Sequence, residues 1–186
     1  MSHEPARVPS PLISTVRDAL DGRGLTWTEF DTESVVLKFR EQHSSYDVLV
    51  TADDASDIVT CYCIVPTRMP ADRRAAVAEA IMRANYVLRY GNFEMDYSDG
   101  EVRYRVSTDV EGSILSAQMV ENLVSCGVQA CEQYHDCFMR VAFAGAGVEF
   151  GGDVVEDAGA VERQVAALGQ VLAQQAVGVL VGAALP

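Results

Sequence analysis

The side chains with most chemistry to offer fall within twelve residues of one another: Cys126, Cys131, His135 and Cys137. Thiolate and imidazole are zinc ligands, but structural zinc sites present Cys-x2–4-Cys pairs on turns. Cysteines five and six apart on one helix point in different directions, so the spacing favours helix packing, with cysteine acting as a small apolar residue. Cys61 and Cys63 share one face of a strand with nothing reactive beside them. Asp53, Asp54 and Asp57 lack the Asp-x-Asp-x-Asp-Gly order and closing Glu of a calcium loop, and read as a solvated turn. His43 stands beside Ser44 and Ser45, yet neither an orienting acid nor a nucleophile elbow accompanies it, which leaves a loop. Gly145, Gly147, Gly151 and Gly152 do not join a strand to a helix as a phosphate loop does, and read as a flexible linker. No catalytic residue, metal or cofactor is therefore expected.

Two constellations remain that could bind. Arg68, Arg73, Arg74 and Arg83 form a basic edge on an otherwise acidic chain, and Met82, Tyr86 and Tyr90 lie near it, on a side of the second helix distinct from its buried stripe. The arginine edge suits an acidic segment of a protein partner, the plainer account being the solvated face of a helix, and Met82, Tyr86 and Tyr90 need cover. The rival is a small-molecule sensor or enzyme with a polar site at Asn85, Tyr86, Asn92 and Tyr97, where the second helix meets the hairpin after it. The plainer account of those residues is that Asn92 caps the turn after Gly91 and a buried asparagine satisfies backbone groups. A deep concave pocket there favours the rival, and a shallow apolar patch favours the binding module.

The element that must position these residues is the hairpin Phe93–Val106, FEMDYSDGEVRYRV. Phe93, Met95, Tyr97, Val102, Tyr104 and Val106 alternate with Glu94, Asp96, Arg103 and Arg105, which is strand periodicity. A type I′ turn at Asp99-Gly100 sets Asp96 opposite Arg103, Glu94 opposite Arg105 and Met95 opposite Tyr104. Upstream, Pro11 to Asp21 repeats apolar residues at helical spacing and Gly22 and Gly24 stop it. Further strands are expected around Trp27, over Val35–Arg40, over Tyr46–Val50 and over the apolar run Ile58–Val65. A helix spans about Ala71 to Arg89 with a buried stripe at Val77, Ile81, Ala84 and Leu88. After the hairpin a third helix carries Leu115, Met119, Val120, Leu123 and Val124, is kinked at Gly127, and continues through Val128, Cys131, Tyr134 and Phe138. Strands joined by such short turns are antiparallel, so the fold class is α+β.

The organisation expected is a loose tail at 1–10, a domain at 11–144, a glycine-rich linker at 145–160 and an apolar C-terminal helix at 161–186. A chain of 186 residues with 49% hydrophobic and 22% charged residues has the composition of a soluble globular protein. With 27 acidic against 14 basic residues the formal charge is −13 and the pI is near 4.5. Such a surface repels nucleic-acid phosphate and anionic lipid. Ala176–Leu185 is wholly apolar but far short of the roughly twenty residues that span a bilayer. The amino terminus lacks the basic and apolar regions of a secretory signal, and five cysteines without framework spacing suit a reducing compartment. A cytoplasmic location is expected.

Residues 84–112, ANYVLRYGNFEMDYSDGEVRYRVSTDVEG, resemble the bacterial YbjN-domain proteins, also called sensory transduction regulators. The Asn85-Tyr86 and Gly91-Asn92-Phe93-Glu94 groups carry most of the resemblance. It extends upstream through CYCIVPTRMPADRR and downstream through LSAQMVENLVSCGVQACEQYHDCFMRV, over about residues 11–144. It implies a fold like that of type III secretion chaperones, α-β-β-β-α-β-β-α, here with a C-terminal helical extension, and it implies no catalytic residues. The stretch VAFAGAGVEFGG and the apolar tail after Val161 depart from the family pattern. Chaperones of that fold pair through a helix and a sheet edge, which implies a homodimer. One way to cover the tail Val161–Leu185 is across the partner subunit; a monomer that folds the tail back over its own sheet is the alternative.

Overall fold

The structure is a computed structural model that describes residues 10–144. The expected N-terminal tail before Ser10, the linker at 145–160 and the helix at 161–186 lie outside the described residues. The elements are α1 (Pro11–Gly22), β1 (Trp27–Asp31), β2 (Ser34–Arg40), β3 (Ser45–Asp53), β4 (Ile58–Ile64), α2 (Arg74–Val87), β5 (Asn92–Met95), β6 (Val102–Asp109) and α3 (Ala117–Phe143). The class is α+β, with four strands before α2 where the resemblance implies three.

Two of the three helix starts, those of α1 and α3, follow capping chemistry. Ser10 accepts a hydrogen bond from the Ile13 amide at 3.1 Å with Pro11 in the first turn, and Ser116 accepts one from Met119 at 3.2 Å. The six strands form one sheet in the order β1-β2-β3-β4-β6-β5, every neighbouring pair antiparallel. Strand alternation sorts the residues onto two faces. Val35, Leu37, Phe39, Tyr46, Val48, Val50, Val59, Cys61, Cys63, Val102, Tyr104 and Val106 are buried beneath the helices. Val36, Lys38, Asp47, Leu49, Tyr62, Ile64, Arg103 and Arg105 point to the other side. At the centre of the core Phe93 stands edge-on to Tyr104, Tyr134 and Phe138, with ring centroids 5.0, 5.4 and 4.9 Å away, a preferred aromatic geometry.

The hairpin faces fall as the alternation requires, but its register differs from that expected. Glu94 pairs with Arg103, Phe93 with Tyr104 and Met95 with Val102. The connection is longer than a two-residue turn: the Asp96 amide donates to the Glu101 carbonyl at 2.9 Å and the Gly100 amide to the Asp96 carbonyl at 2.8 Å. Of Asp99 and Gly100 only Gly100 has positive φ, +82°, which excludes a type I′ turn. A two-residue shift preserves facing, so the core is unaffected. Tyr97, expected with the apolar face, lies in this loop and is exposed. Glu94 bridges both arginines, at 3.0 Å each, while Asp96 accepts from Ser98 instead.

Helix α3 runs unbroken through Gly127, where a kink was expected. A Cβ at Gly127 would lie 3.1 Å from the Cys63 Cβ and 3.6 Å from the Cys61 Sγ. The glycine is there because the helix backbone passes close over β4, the close-approach use of the residue. Helix α2 is shorter at both ends than the span 71–89, and buries Val77, Ala80, Ile81 and Ala84.

Candidate functional site

The basic edge lies mostly inside a brace between elements. Arg73, which precedes α2, donates from Nη2 at 2.6 Å and Nε at 3.1 Å to the Val141 carbonyl, placing a cation on the carbonyl end of α3. Arg74 donates to the carbonyls of Met69 at 3.2 Å, Tyr97 at 2.7 Å and Ser98 at 3.2 Å, tying α2 to the β5–β6 loop. Arg68 pairs with Asp99 and Glu101 in that loop, and Arg83 pairs with Glu79 one turn back. Met82 and Tyr86 sit one turn apart on α2 and are 70% and 91% exposed; Tyr90 beyond its end is 59% exposed. The arginines and these three residues thus share one region, the arginines engaged within the domain and the apolar groups facing water. Edge strand β5 packs beside α2.

The four polar residues of the rival site are not brought together. The Phe93 amide donates to Asn85 Oδ1 at 2.8 Å and Asn85 Nδ2 donates to the Phe93 carbonyl at 3.0 Å, so both ends of that amide hold the start of β5. Asn92 Nδ2 reaches the same carbonyl at 3.4 Å. Tyr86 faces solvent, and Asn92 starts β5 whereas Tyr97 lies in the loop beyond its other end. Asn85 is a structural clamp.

The cysteines pack rather than react. Cys61, Cys63 and Cys131 are buried, and Cys131 donates weakly to the Cys63 carbonyl at 3.5 Å. Burial pushes the thiols of Cys61, Cys63 and Cys126 up, away from the thiolate that nucleophilic or metal chemistry needs. Burial raises Cys137 as well, with Arg140 opposing. Among the described residues no group of three or more His, Cys, Asp or Glu is arranged to hold a metal ion. The acidic loop closes on itself: Asp53 accepts from the Ala55 amide at 2.9 Å and the Ser56 hydroxyl at 2.6 Å. Asp54 accepts from the Leu12 amide in the first turn of α1 at 3.2 Å.

One polar cluster was not anticipated. Glu132 of α3 accepts from the His43 amide at 2.9 Å, meets His43 Nδ1 at 2.6 Å and accepts from the Tyr46 hydroxyl at 2.9 Å. His43 Nε2 stands 3.6 Å from Asp136, and its ring stacks on His135 at 5.6 Å. Burial raises the Glu132 carboxyl, but the hydrogen bonds from the His43 amide, Tyr46 and the His43 ring outweigh it and hold the group below its ordinary range. Tyr46 is pushed up, by burial first and by Glu132 second, and stays a donor. Glu41 is raised by burial and by the charge of Glu132. The arrangement latches the β2–β3 loop to α3. The signal in sequence was the helical spacing of Glu132, His135 and Asp136, which marks one helix region but not the loop it meets.

Among the described residues no helix is long and apolar enough to cross a membrane. No curated protein matches the chain. A crystal structure described as that of "YbjN, a putative transcription regulator from E. coli" superposes with a TM-score of 0.50 at 13% identity, covering 75% of this chain and 93% of that chain; such a likeness shows the fold. The family model for YbjN, described as "Putative bacterial sensory transduction regulator", matches residues 13–140. A match over that much of the sequence, on the α+β architecture found here, means that the chain belongs to the YbjN family.

Proposed function

We propose that the protein is a non-enzymatic, chaperone-like regulatory module that binds a protein partner through the flank of α2, as a homodimer in the cytoplasm. The observation that carries this is the exposure of Met82, Tyr86 and Tyr90 side by side with a braced arginine edge. Large apolar side chains grouped in water mark interaction surfaces, and Tyr and Met are enriched there. Edge strand β5 beside α2 supplies the helix-and-edge pairing surface that the resemblance to secretion chaperones implies. The free cysteines support a reducing compartment.

The test places a photo-crosslinking amino acid at Tyr86 in the full chain within bacterial cells and identifies what it captures, while light scattering gives the mass of wild type and of Met82→Asp/Tyr86→Asp. The reading expects one specific adduct at position 86, lost in a Met82→Asp background, and a dimer mass that the double variant reduces. A monomer at tens of micromolar protein overturns the homodimer. Capture no greater than at an exposed position elsewhere, such as Glu111, overturns the α2 surface.

A further inference from the structure

Helix α2 buries Val77, Ala80, Ile81 and Ala84 on one side. At about 100° per residue the line opposite that stripe runs through Ala75, Glu79, Met82 and Tyr86, and all four are exposed. Their spacing, four then three then four residues, is that of a coiled-coil seam. It is also the same read from either end of the helix, so a second α2 lies along the first with its seam matched in either direction.

The residue types choose the direction. With two copies antiparallel about an axis between Ala80 and Ile81, Tyr86 stands opposite Ala75 of the second copy, Met82 opposite its Glu79, and Arg83 level with its Ala78. Each ring then rests on an alanine, and large against small leaves least void. Glu79 already pairs with Arg83 of its own helix. In the antiparallel pair it also comes within one residue of the level of Arg83 of the second copy, so two carboxylates and two guanidiniums alternate around the axis. A parallel pair would stack Tyr86 on Tyr86, leave a gap between the two Ala75 methyls, and set Glu79 against Glu79, like charge on like.

Charge also selects α2 over the other helices. On a chain of formal charge −13 two copies repel over most of their surfaces. Arg74 and Arg83 outnumber Glu79 on α2, whereas Asp18 and Asp21 outnumber Arg17 on α1, and Glu121, Glu132 and Asp136 outnumber Arg140 on α3. We propose that α2 pairs with α2 of a second copy as a shallow antiparallel coiled coil, Tyr86 of each copy seated on Ala75 of the other. The proposal rests on the reading of the α2 flank as an interaction surface, and adds which surface meets it and in which direction.

The test uses the full chain as two variants, Ala75→Cys and Tyr86→Cys, oxidised with diamide separately and as an equimolar mixture, with peptide masses separating the new disulfides from any made by the native cysteines. Both positions are exposed, so neither replacement disturbs the core. In the antiparallel pair the two copies of position 75 are about 16 Å apart along the axis, as are the two copies of position 86, beyond the reach of a disulfide. The expected product is a disulfide joining 75 to 86 in the mixture, at a yield at least about tenfold that of the dimers formed by either variant alone. Disulfides joining 75 to 75 and 86 to 86, at or above the mixed yield, overturn the antiparallel pair but leave α2 as the surface where copies meet. A dimeric wild-type mass by light scattering with no disulfide at either position overturns the proposal, while photo-capture at Tyr86 still tests α2 as a surface for another protein. A monomeric mass overturns this pairing and the homodimer together.

Discussion

Replacing Gly127 by alanine sets two opposed effects against each other, and the structure decides the sign. Alanine is better than glycine in a helix interior by about 1 kcal/mol. The new methyl would stand 3.1 Å from the Cys63 Cβ, inside the 3.5–4.0 Å optimum for carbon pairs. That neighbour is a Cβ fixed to the backbone of a central strand, so it cannot rotate aside, and either α3 or β4 has to move by a few tenths of an ångström. Overpacking of a well-filled core costs about 1–3 kcal/mol. The expected net is a loss of about 1 kcal/mol for Gly127→Ala and about 3 kcal/mol for Gly127→Val, which adds two more methyl groups at the same seam. Gly22→Ala is the control, because a Cβ there meets nothing within 4 Å. Urea unfolding followed by far-UV circular dichroism reads the difference, with about 1 kcal/mol moving the midpoint by roughly 0.5 M at a slope near 2 kcal/mol/M. A Gly127→Ala midpoint equal to or above that of Gly22→Ala would refute the close approach of α3 to β4 and return Gly127 to the role of a tolerated defect.

Gly100→Val is expected to destabilise by about 3 kcal/mol, because it adds a β-branched residue at positive φ and drives a Cβ into the Met69 carbonyl, whereas Ser98→Ala loses one exposed hydrogen bond and about 0.5 kcal/mol; matching denaturant midpoints would contradict this. Arg73→Ala should loosen the last turn of α3 and lower stability by about 1–2 kcal/mol, read as faster amide exchange over residues 138–143 than over 120–125. Because the Glu132 carboxyl is depressed in the folded state, its contribution is complete above the unfolded value of 4.5 and fades as pH falls through the lower folded value. Glu132→Gln should therefore cost about 1–2 kcal/mol at pH 7 and progressively less below pH about 4, partly offset at neutral pH by relief of Glu41; a pH-independent difference in urea midpoint would show that the charge is irrelevant. Elemental analysis of purified protein should find no stoichiometric zinc, and one zinc per chain that disappears on replacing Cys126 and Cys131 would overturn the packing account of the cysteines.

Periodicity made the strands and helices legible, because which residues alternate is a local property and the core face is set by it. The exposed pair Met82 and Tyr86 could be read for the same reason: they fall off the stripe Val77–Ile81–Ala84. The features that resisted reading depended on partners distant in the chain. The hairpin register turned on the φ of Asp99, in a loop held by Arg68 and the Met69 amide from the connection before α2 and by Arg74 from the first turn of α2. Gly127 looked like a kink because the strand that demands it lies over sixty residues earlier. Asn85 could be read as a ligand group or, more plainly, as a buried amide satisfying backbone, and only the structure names the backbone of Phe93 as its partner, because backbone carries no signature. The His43 latch was hidden likewise, since a loop and a helix 89 residues apart share no pattern.

The place of α3 in the chain has a consequence for synthesis. Strands β1 to β4 form a meander of neighbouring hairpins that can pair as soon as each turn is made, and β6 then adds beside β4. Their apolar underside, however, is sealed mainly by a 27-residue helix that begins at Ala117. A ribosome extending the chain from its amino end thus presents a paired sheet, with Val48, Val50, Cys61 and Cys63 without the cover of α3, until that helix, the last element among the described residues, emerges. Burial of that underside is completed only when α3 is made, so a chain stalled between β6 and α3 would expose apolar sheet surface that the finished domain buries.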